Sequence, residues 1–244
     1  MANPIMKLEE NRAEQERVLN ANDIMTINGS IEKIGILGLI LVMAAAFVWS
    51  RYTLGYTDLA NMLTFGGLLV GFILALIISF ARTIYLIPVY AIAEGLFIGG
   101  ISAIFENSYP GIVIQATTGT LAALFSMLIL YRMGIISCTD KFKSVIFIST
   151  GSIAVIYLAN FIGSFFGYAI PAINTASNVG ILFSIAVVII ASLNLIIDFD
   201  FIESGVERMY PKQYEWFGAF GLMVTLVWLY IEILKLVAKL RSRD

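Results

Sequence analysis

The stretch that decides the fold is Leu193–Gly205, with the sequence Leu-Asn-Leu-Ile-Ile-Asp-Phe-Asp-Phe-Ile-Glu-Ser-Gly. It ends a long apolar run and places Asp198, Asp200 and Glu203 on what its spacing predicts to be the last two turns of a helix. A charged side chain at the centre of a membrane helix costs about 2.5–3.5 kcal/mol on insertion scales. Asp198 therefore needs a partner, a proton or a cation.

The composition around this stretch indicates a membrane protein. Of the 244 residues, 59% are hydrophobic and 13% are charged, and the mean hydropathy is +0.90. A soluble domain has roughly a quarter charged residues, so this chain lacks the polar surface to cover a globule in water. The alternation typical of a membrane β-barrel is absent. We expect an all-α fold, a polytopic bundle of membrane helices.

The residue counts also exclude several kinds of site. The net charge of −2 provides no basic surface for nucleic acid. The chain has one cysteine, Cys138, and no histidine, which removes histidine metal sites, Ser-His-Asp catalysis and the usual switch near neutral pH. We therefore expect no enzyme and no bound cofactor, and any pH sensing must fall to carboxylates.

Seven apolar runs are near or above the length of about 20 residues that a helix needs to cross the bilayer. They predict transmembrane helices at Ile34–Ser50, Met62–Phe80, Ile84–Phe105, Gly111–Tyr131, Ser144–Tyr168, Asn178 to about Ser204, and about Glu215 to Leu240. The loops are short, which predicts one bundle of antiparallel neighbours. We divide the chain into a polar segment at 1–32, a transmembrane domain at 33–240 and a basic tail at 241–244.

Charges outside the spans predict the orientation. Met1–Lys33 is rich in charge and predicts a polar helix on the membrane surface. With seven spans, ten Lys and Arg residues lie on the N-terminal side and five on the other, so we expect a cytoplasmic N-terminus. Four of those five lie at the end of the chain. A cytoplasmic C-terminus would require an even number of spans, with the last run re-entrant or another of the seven runs not a span.

Small residues recur four positions apart in three pairs, a spacing that lets helix backbones approach closely in lipid. The pairs are Gly67 with Gly71, Gly95 with Gly99, and Gly163 with Gly167. We expect tight helix packing at all three.

Four ionisable residues lie within or at the ends of the apolar runs and are candidates for an ion path: Arg82, Glu94, Asp198 and Glu232. Arg82 closes the second helix, where snorkelling to the interface is the simpler interpretation. Glu94 lies near mid-membrane, and a structural carboxyl that packs helices is as good an interpretation as a functional one. We expect Asp198 low in the path, Glu94 near its middle and Glu232 high.

Helix geometry adds three further candidates around Asp198. Asn194 precedes it by one turn on the same face, and Asp200 points elsewhere as a solvated interface residue. Gly205 is expected at the position just after the helix end. On the last helix, Thr225 comes within reach of the level of Asp198, whereas Glu232 lies about 10 Å further outward.

Oxygen ligands without histidine suit hard cations such as Ca²⁺, or protons, and not Zn²⁺ or Cu⁺. We therefore predict a carboxylate-lined path, with Asp198 as a Ca²⁺ ligand and Ca²⁺ or H⁺ as the ion that moves. The competing interpretation is a polar core that only holds the helices together.

Three segments resemble the transmembrane Bax inhibitor motif family, in its bacterial branch. They are Met25-Thr-Ile-Asn-Gly; Pro88-Val-Tyr-Ala-Ile-Ala-Glu-Gly-Leu-Phe-Ile-Gly-Gly-Ile-Ser102; and the end of the chain, from Ala191-Ser-Leu-Asn-Leu-Ile-Ile-Asp-Phe-Asp-Phe-Ile-Glu to Tyr214-Glu-Trp-Phe-Gly-Ala-Phe-Gly-Leu-Met-Val-Thr-Leu-Val-Trp-Leu-Tyr-Ile-Glu-Ile-Leu. The similarity covers nearly everything after residue 25.

The resemblance implies six helices around a central seventh, a bacterial inner-membrane location and a pH-sensitive Ca²⁺ leak. It also implies an aspartate pair on the last two helices as the pH sensor, with an arginine from the second helix as a latch. Asp198 matches the first aspartate and Arg82 is a plausible latch, but Thr225 occupies the position of the second aspartate. A lone Asp198 cannot share a proton with a neighbour. Glu232 is then a candidate for the missing second carboxylate, at a position further outward along the last helix.

Two other functions compete with the channel. A regulatory membrane protein would bind and modulate other membrane proteins, in proteolysis or in stress and cell-death control, without transport. An intramembrane enzyme is disfavoured because Asp198 and Asp200 point about 200° apart on one helix and cannot form a dyad.

Overall fold

The computed structural model describes residues 24–168, 170, 173 and 175–243. Within them the chain forms seven α-helices and no named strand. The helices are α1 (Ile27–Thr53), α2 (Thr57–Ala81), α3 (Ile87–Ser108, preceded by a 3₁₀ turn at Ile84–Leu86), α4 (Ile112–Arg132), α5 (Asp140–Phe165), α6 (Asn178–Glu207) and α7 (Tyr214–Arg241).

Seven of the described helices are long and apolar enough to cross a membrane, with α3 counted from its 3₁₀ turn. Their most apolar windows have mean hydropathies between 1.8 and 2.7. The predicted all-α polytopic bundle with seven spans is therefore confirmed. It could be predicted because the length of each apolar run can be read from that run alone.

Two helices begin earlier than predicted because a threonine side chain caps each of them. Thr26 accepts a hydrogen bond from the Gly29 amide at 2.9 Å, so α1 begins at Ile27 instead of Ile34. The first turns of α1 thus fall within the predicted polar segment, most of which lies outside the described residues. Thr139 caps α5 in the same way through the Phe142 amide, and α5 begins at Asp140 instead of Ser144.

The end of α6 corrects the prediction for Gly205. The helix continues to Glu207, and the left-handed conformation after it is adopted by Met209, with a φ of 55°. Gly205 lies inside the helix, where a Cβ atom would come within 2.8 Å of the Met25 sulfur. This glycine is therefore required by close packing and not by a turn.

The glycine pairs give two confirmations and one correction. A Cβ at Gly67 would lie 2.5 Å from the Ala93 carbonyl oxygen. A Cβ at Gly95 or Gly99 would overlap backbone atoms of Leu41 or Ala45, so α3 packs directly on α1. The third pair does not join two helices. Gly163 lies against the local Tyr168 carbonyl, and Gly167 follows the end of α5 with a φ of 76°.

The chain divides into two compact units, which we name by the helices that lie wholly, or all but their first two residues, within them. The α1–α3 unit holds the described residues up to 113 together with 202–227, and the α4–α5 unit holds 114–201 and 228–243 as far as they are described. The helices α6 and α7 contribute to both. Buried side chains from α1, α2, α3 and α7 form the core of the α1–α3 unit: Leu37, Ile78, Ile87, Tyr90, Ala91, Ala219 and Met223.

Candidate ion-path residues

Asp200 forms an ion pair in the α4–α5 unit. Its Oδ2 atom lies 2.6 Å from Lys143 Nζ, and both side chains are only 16% exposed. The cap at Thr139 starts α5 early enough to place Lys143 on the first helical turn. The prediction that Asp200 is a solvated interface residue is wrong, because the lysine lets the carboxylate lie away from bulk water.

Cys138 extends this pair into a cluster. Its thiol donates a hydrogen bond to the Asp200 carboxylate, and Asp198 lies close enough to act on it electrostatically. Burial is the main cause that raises the pKa of the Cys138 thiol to about 12, and the negative charge of Asp200 raises it further. Lys143 acts in the opposite direction. The loop before α5 therefore presents a protonated thiol to two aspartates.

Asp198 itself is partly buried, with its Oδ2 atom shielded from solvent. One turn earlier on α6, the Asn194 side-chain amide donates to Thr150 Oγ1 at 2.9 Å and to the Ile190 carbonyl at 2.8 Å. Asn194 thus links α6 to α5, and its N–H groups are already used. In this unit the structure brings Asp198, Asp200 and Cys138 together at one end of α6.

Glu94 belongs to the α1–α3 unit and lies between two helices. The Tyr90 hydroxyl, one turn earlier on α3, donates a hydrogen bond to its carboxylate. A Cβ at Gly71 on α2 would lie 2.9 Å from Glu94 Oε1, so the glycine leaves the space that this carboxyl occupies. The side chain is partly buried. Its surroundings fit the interpretation of a hydrogen-bonded carboxyl within the helix packing.

Arg82 and Thr225 also belong to the α1–α3 unit. Arg82 follows the last residue of α2 in the left-handed conformation, with φ 52° and ψ 43°. The left-handed conformation costs a non-glycine residue roughly 1–2 kcal/mol, so Arg82 adopts it against its backbone preference. Thr225 is buried on α7, with 9% of its surface exposed.

Glu232 is held in a triad within the α4–α5 unit. It is 2% exposed, accepts a hydrogen bond from the Tyr157 hydroxyl at 2.8 Å and lies 3.2 Å from Lys235 Nζ. The Lys235 ammonium also lies 5.0 Å from the centre of the Tyr157 ring. A cation that reached Glu232 would therefore compete with Lys235, which is 41% exposed and can turn towards solvent.

Comparison with known proteins assigns the chain to a family. A family model described as Bax inhibitor 1 like matches residues 3–242. The chain belongs to this family. A search of curated proteins and a search of solved structures give no match.

The sequence did not point to three residues that are buried carboxylates or contact them in this Bax inhibitor 1 like protein. Lys143 and Tyr157, the partners of Asp200 and Glu232, both lie on α5, and hydropathy does not show which residues of another helix they face. Glu215 is fully buried at the start of α7, where the sequence suggested no more than a helix end. A carboxylate directly before a long apolar run is the signal that could have identified it.

No group of three or more His, Cys, Asp or Glu residues that could hold a metal ion occurs in the described part of this Bax inhibitor 1 like protein. The role of Asp198 as a Ca²⁺ ligand stays a prediction. Asp200, Glu94 and Glu232 each contact one or two tyrosine, lysine or thiol side chains instead.

Proposed function

We propose that this multi-pass Bax inhibitor 1 like protein is a passive, pH-sensitive cation leak channel, with Ca²⁺ as the main ion. The observation that carries the proposal is the pair of partly buried aspartates, Asp198 and Asp200, at the end of the most apolar of the seven spans. Carboxylates are costly in such a helix and mark ion or proton paths in membrane proteins.

The ion pair between Asp200 and Lys143 supports a state in which this end of α6 is closed to cations. A lysine that neutralises a carboxylate competes with any cation for the same oxygens. Protonation of a carboxylate removes its attraction for such a partner and shifts the balance between conformations. The triad at Glu232 has the same chemistry, with Lys235 as the competing cation. The latch role of Arg82 stays a prediction.

We further propose an orientation with a cytoplasmic N-terminus in a bacterial inner membrane. The chain then works in the lipid bilayer as a transporter and not as an enzyme, and Ca²⁺ or H⁺ is cargo and not a bound cofactor. Seven spans and the excess of Lys and Arg on the N-terminal side support this orientation.

The test is Ca²⁺ flux into proteoliposomes at pH 6 and at pH 8, with the wild type beside Asp198→Asn. We expect flux that differs between the two pH values and a changed pH dependence in Asp198→Asn. Asp58→Asn is the matched control, because Asp58 is an exposed carboxylate in the first turn of α2. It should behave as the wild type.

A wild type without flux above empty liposomes at either pH would overturn the channel proposal. Asp198 would then be a structural carboxyl, and the protein would be better described as a regulator that binds other membrane proteins.

A further inference from the structure

Residues Ile24–Ser30, which we call the N-terminal clasp, hold the start of α1 to the turn between α6 and α7. Ile24 forms an isolated antiparallel bridge with Pro211. The Met25 amide donates to the Tyr210 carbonyl at 2.8 Å. These backbone contacts fix the register of the clasp, and they leave the Met25 side chain between the end of α6 and the start of α7.

The Met25 side chain fills a socket made by two glycines. It is 1% exposed, and a Cβ at Gly205 on α6 would lie 2.8 Å from its sulfur. A Cβ at Gly218 on α7 would lie 3.7 Å from its terminal methyl and 2.9 Å from Ile202. An unbranched thioether follows an irregular gap better than a branched side chain does. The socket exists because these two helix positions carry no side chain.

A buried carboxylate clamps the clasp in place. Glu215 is fully buried, and its Oε1 atom accepts hydrogen bonds from the Thr26 amide and the Thr26 hydroxyl, each at 3.0 Å. Lys33 Nζ lies 3.8 Å from Oε2 and 5.7 Å from the centre of the Trp216 ring. Gly29 is needed beneath this contact, because a Cβ there would overlap the Glu215 carboxyl.

The socket lies on helix faces that the proposed path uses. On α6, Gly205 follows Asp198 by seven residues, and on α7 Thr225 follows Gly218 by seven residues. Seven residues are nearly two turns, about 10 Å along a helix, so each glycine shares a face with the candidate residue of its own helix. Met25 thus covers both faces at the ends that meet the α6–α7 turn.

We propose that Met25 is the apolar plug of an inner gate, and that Glu215, through Thr26, is the positioning residue that keeps it closed. An apolar constriction excludes hydrated ions by dewetting. This inference rests on the proposed channel function, which it extends by placing the gate in the N-terminal clasp. Withdrawal of Met25 leaves the socket open to the solvent on the side of the α6–α7 turn.

The test locks the clasp and then removes the plug, in a Cys138→Ser background. Side chains opposite one another in an antiparallel pair have Cβ atoms about 4.5–5.5 Å apart, near disulfide range. Ile24→Cys with Pro211→Cys should therefore form a disulfide on oxidation. We expect the oxidised protein to lose most of its Ca²⁺ flux and dithiothreitol to restore it, with each single cysteine variant unaffected by the oxidant.

Removal of the plug should have the opposite effect. We expect Met25→Ala and Glu215→Leu to raise Ca²⁺ flux severalfold, because the first removes the plug and the second removes the oxygen acceptor that holds Thr26. Met62→Ala on α2, where the methionine is 66% exposed, is the control for loss of a methionine. Maleimide labelling of Met25→Cys gives a readout without ions. It should be slow, and faster when Glu215→Leu is added.

The outcomes separate the gate from the channel. Wild-type flux that responds to Asp198→Asn but not to the lock or to Met25→Ala would overturn the gate and leave the channel standing. Slow labelling of Met25→Cys that Glu215→Leu does not change would overturn the role of Glu215. Absence of flux from both the wild type and Met25→Ala would overturn the channel and the gate together.

Discussion

Lys143 neutralises Asp200 at a position where neither side chain has much contact with solvent. We expect Lys143→Met to lower the free energy of unfolding by about 1–3 kcal/mol, because a buried charged group is left without its partner. Adding Asp200→Asn should recover most of the loss, since the uncompensated charge is gone. Unfolding of the purified protein in detergent measures both effects.

The neighbouring Lys141 provides the control for that prediction. It is exposed two residues earlier on the same helical turn. Lys141→Met should change the free energy of unfolding by no more than about 0.5 kcal/mol. Equal losses for the two lysine variants would show that the pair with Asp200 contributes nothing specific.

Cys138 tests the electrostatics of the same cluster through pH. A cysteine thiol reacts as the thiolate, so a raised pKa means less reactive thiolate at a given pH. With the pKa raised to about 12, about one thiol in ten thousand is ionised at pH 8, compared with about a quarter for a pKa near 8.5. We expect the maleimide rate of the folded protein to keep rising through pH 10.

The shape of this pH profile separates ionisation from access, because shielding alone lowers the rate equally at every pH. The unfolded chain should level off near pH 9, close to the ordinary cysteine pKa of about 8.5. Asp200→Asn should lower the pKa of Cys138 and bring the plateau to lower pH. Lys143→Met should move it to higher pH, and a shift in the same direction for both variants would contradict the cluster.

The seven helices were predictable because a continuous apolar run long enough to cross a bilayer needs no information from the rest of the chain. Their ends were less so. Single threonines, Thr26 and Thr139, decide where α1 and α5 begin, and each uses one hydrogen bond that hydropathy does not register. The prediction that Gly163 and Gly167 pack two helices together was wrong, because the same four-residue spacing also occurs at the end of a helix.

At the level of helix pairs, Gly99 is the position where α3 tolerates no side chain against α1. We expect Gly99→Ala to lower the free energy of unfolding by about 1–3 kcal/mol, because the new methyl meets the Ala45 backbone and the helices must separate. Unfolding in detergent gives the value, and disulfide formation between cysteines placed on α1 and α3 reports the separation.

Gly35 on α1 is the matched control. A Cβ built there has no atom within 4 Å. Gly35→Ala should therefore be neutral or stabilise the helix by up to about 1 kcal/mol, through helix propensity alone. A loss at Gly35 as large as the loss at Gly99 would mean that both substitutions act through the helix itself and not through packing.

Across the whole molecule, the sequence located the charges in the spans but not their partners. Glu215 and Thr26 are 189 positions apart, and Lys143 reaches Asp200 from a different helix. A hydropathy pattern reports how far a side chain lies along its own helix, but not which residue of another helix faces it. Asp198 and Glu232 were therefore recognisable as candidates, while the ion pairs and hydrogen bonds around them required the structure.

The number of spans makes a prediction about the two ends of the chain. Seven crossings place the termini on opposite sides of the membrane, although the end of α7 and the tail carry Lys235, Lys239, Arg241 and Arg243. The bias of Lys and Arg acts mainly through short loops, and the first helices usually set the orientation. We therefore expect an outside C-terminus despite its basic residues, opposite the N-terminus that we propose to be cytoplasmic.

The side on which the C-terminus lies can be measured with single cysteines in a Cys138→Ser background, labelled by a maleimide that does not cross membranes. Ser242→Cys should react in intact cells stripped of their wall. Lys141→Cys, at an exposed position in the first turn of α5, should react only after the membrane is opened. Reaction of both only after opening would mean that α7 turns back within the membrane, in spite of its 28 residues. The basic tail would then lie on the same side of the bilayer as the N-terminal clasp, where most of the Lys and Arg residues are expected.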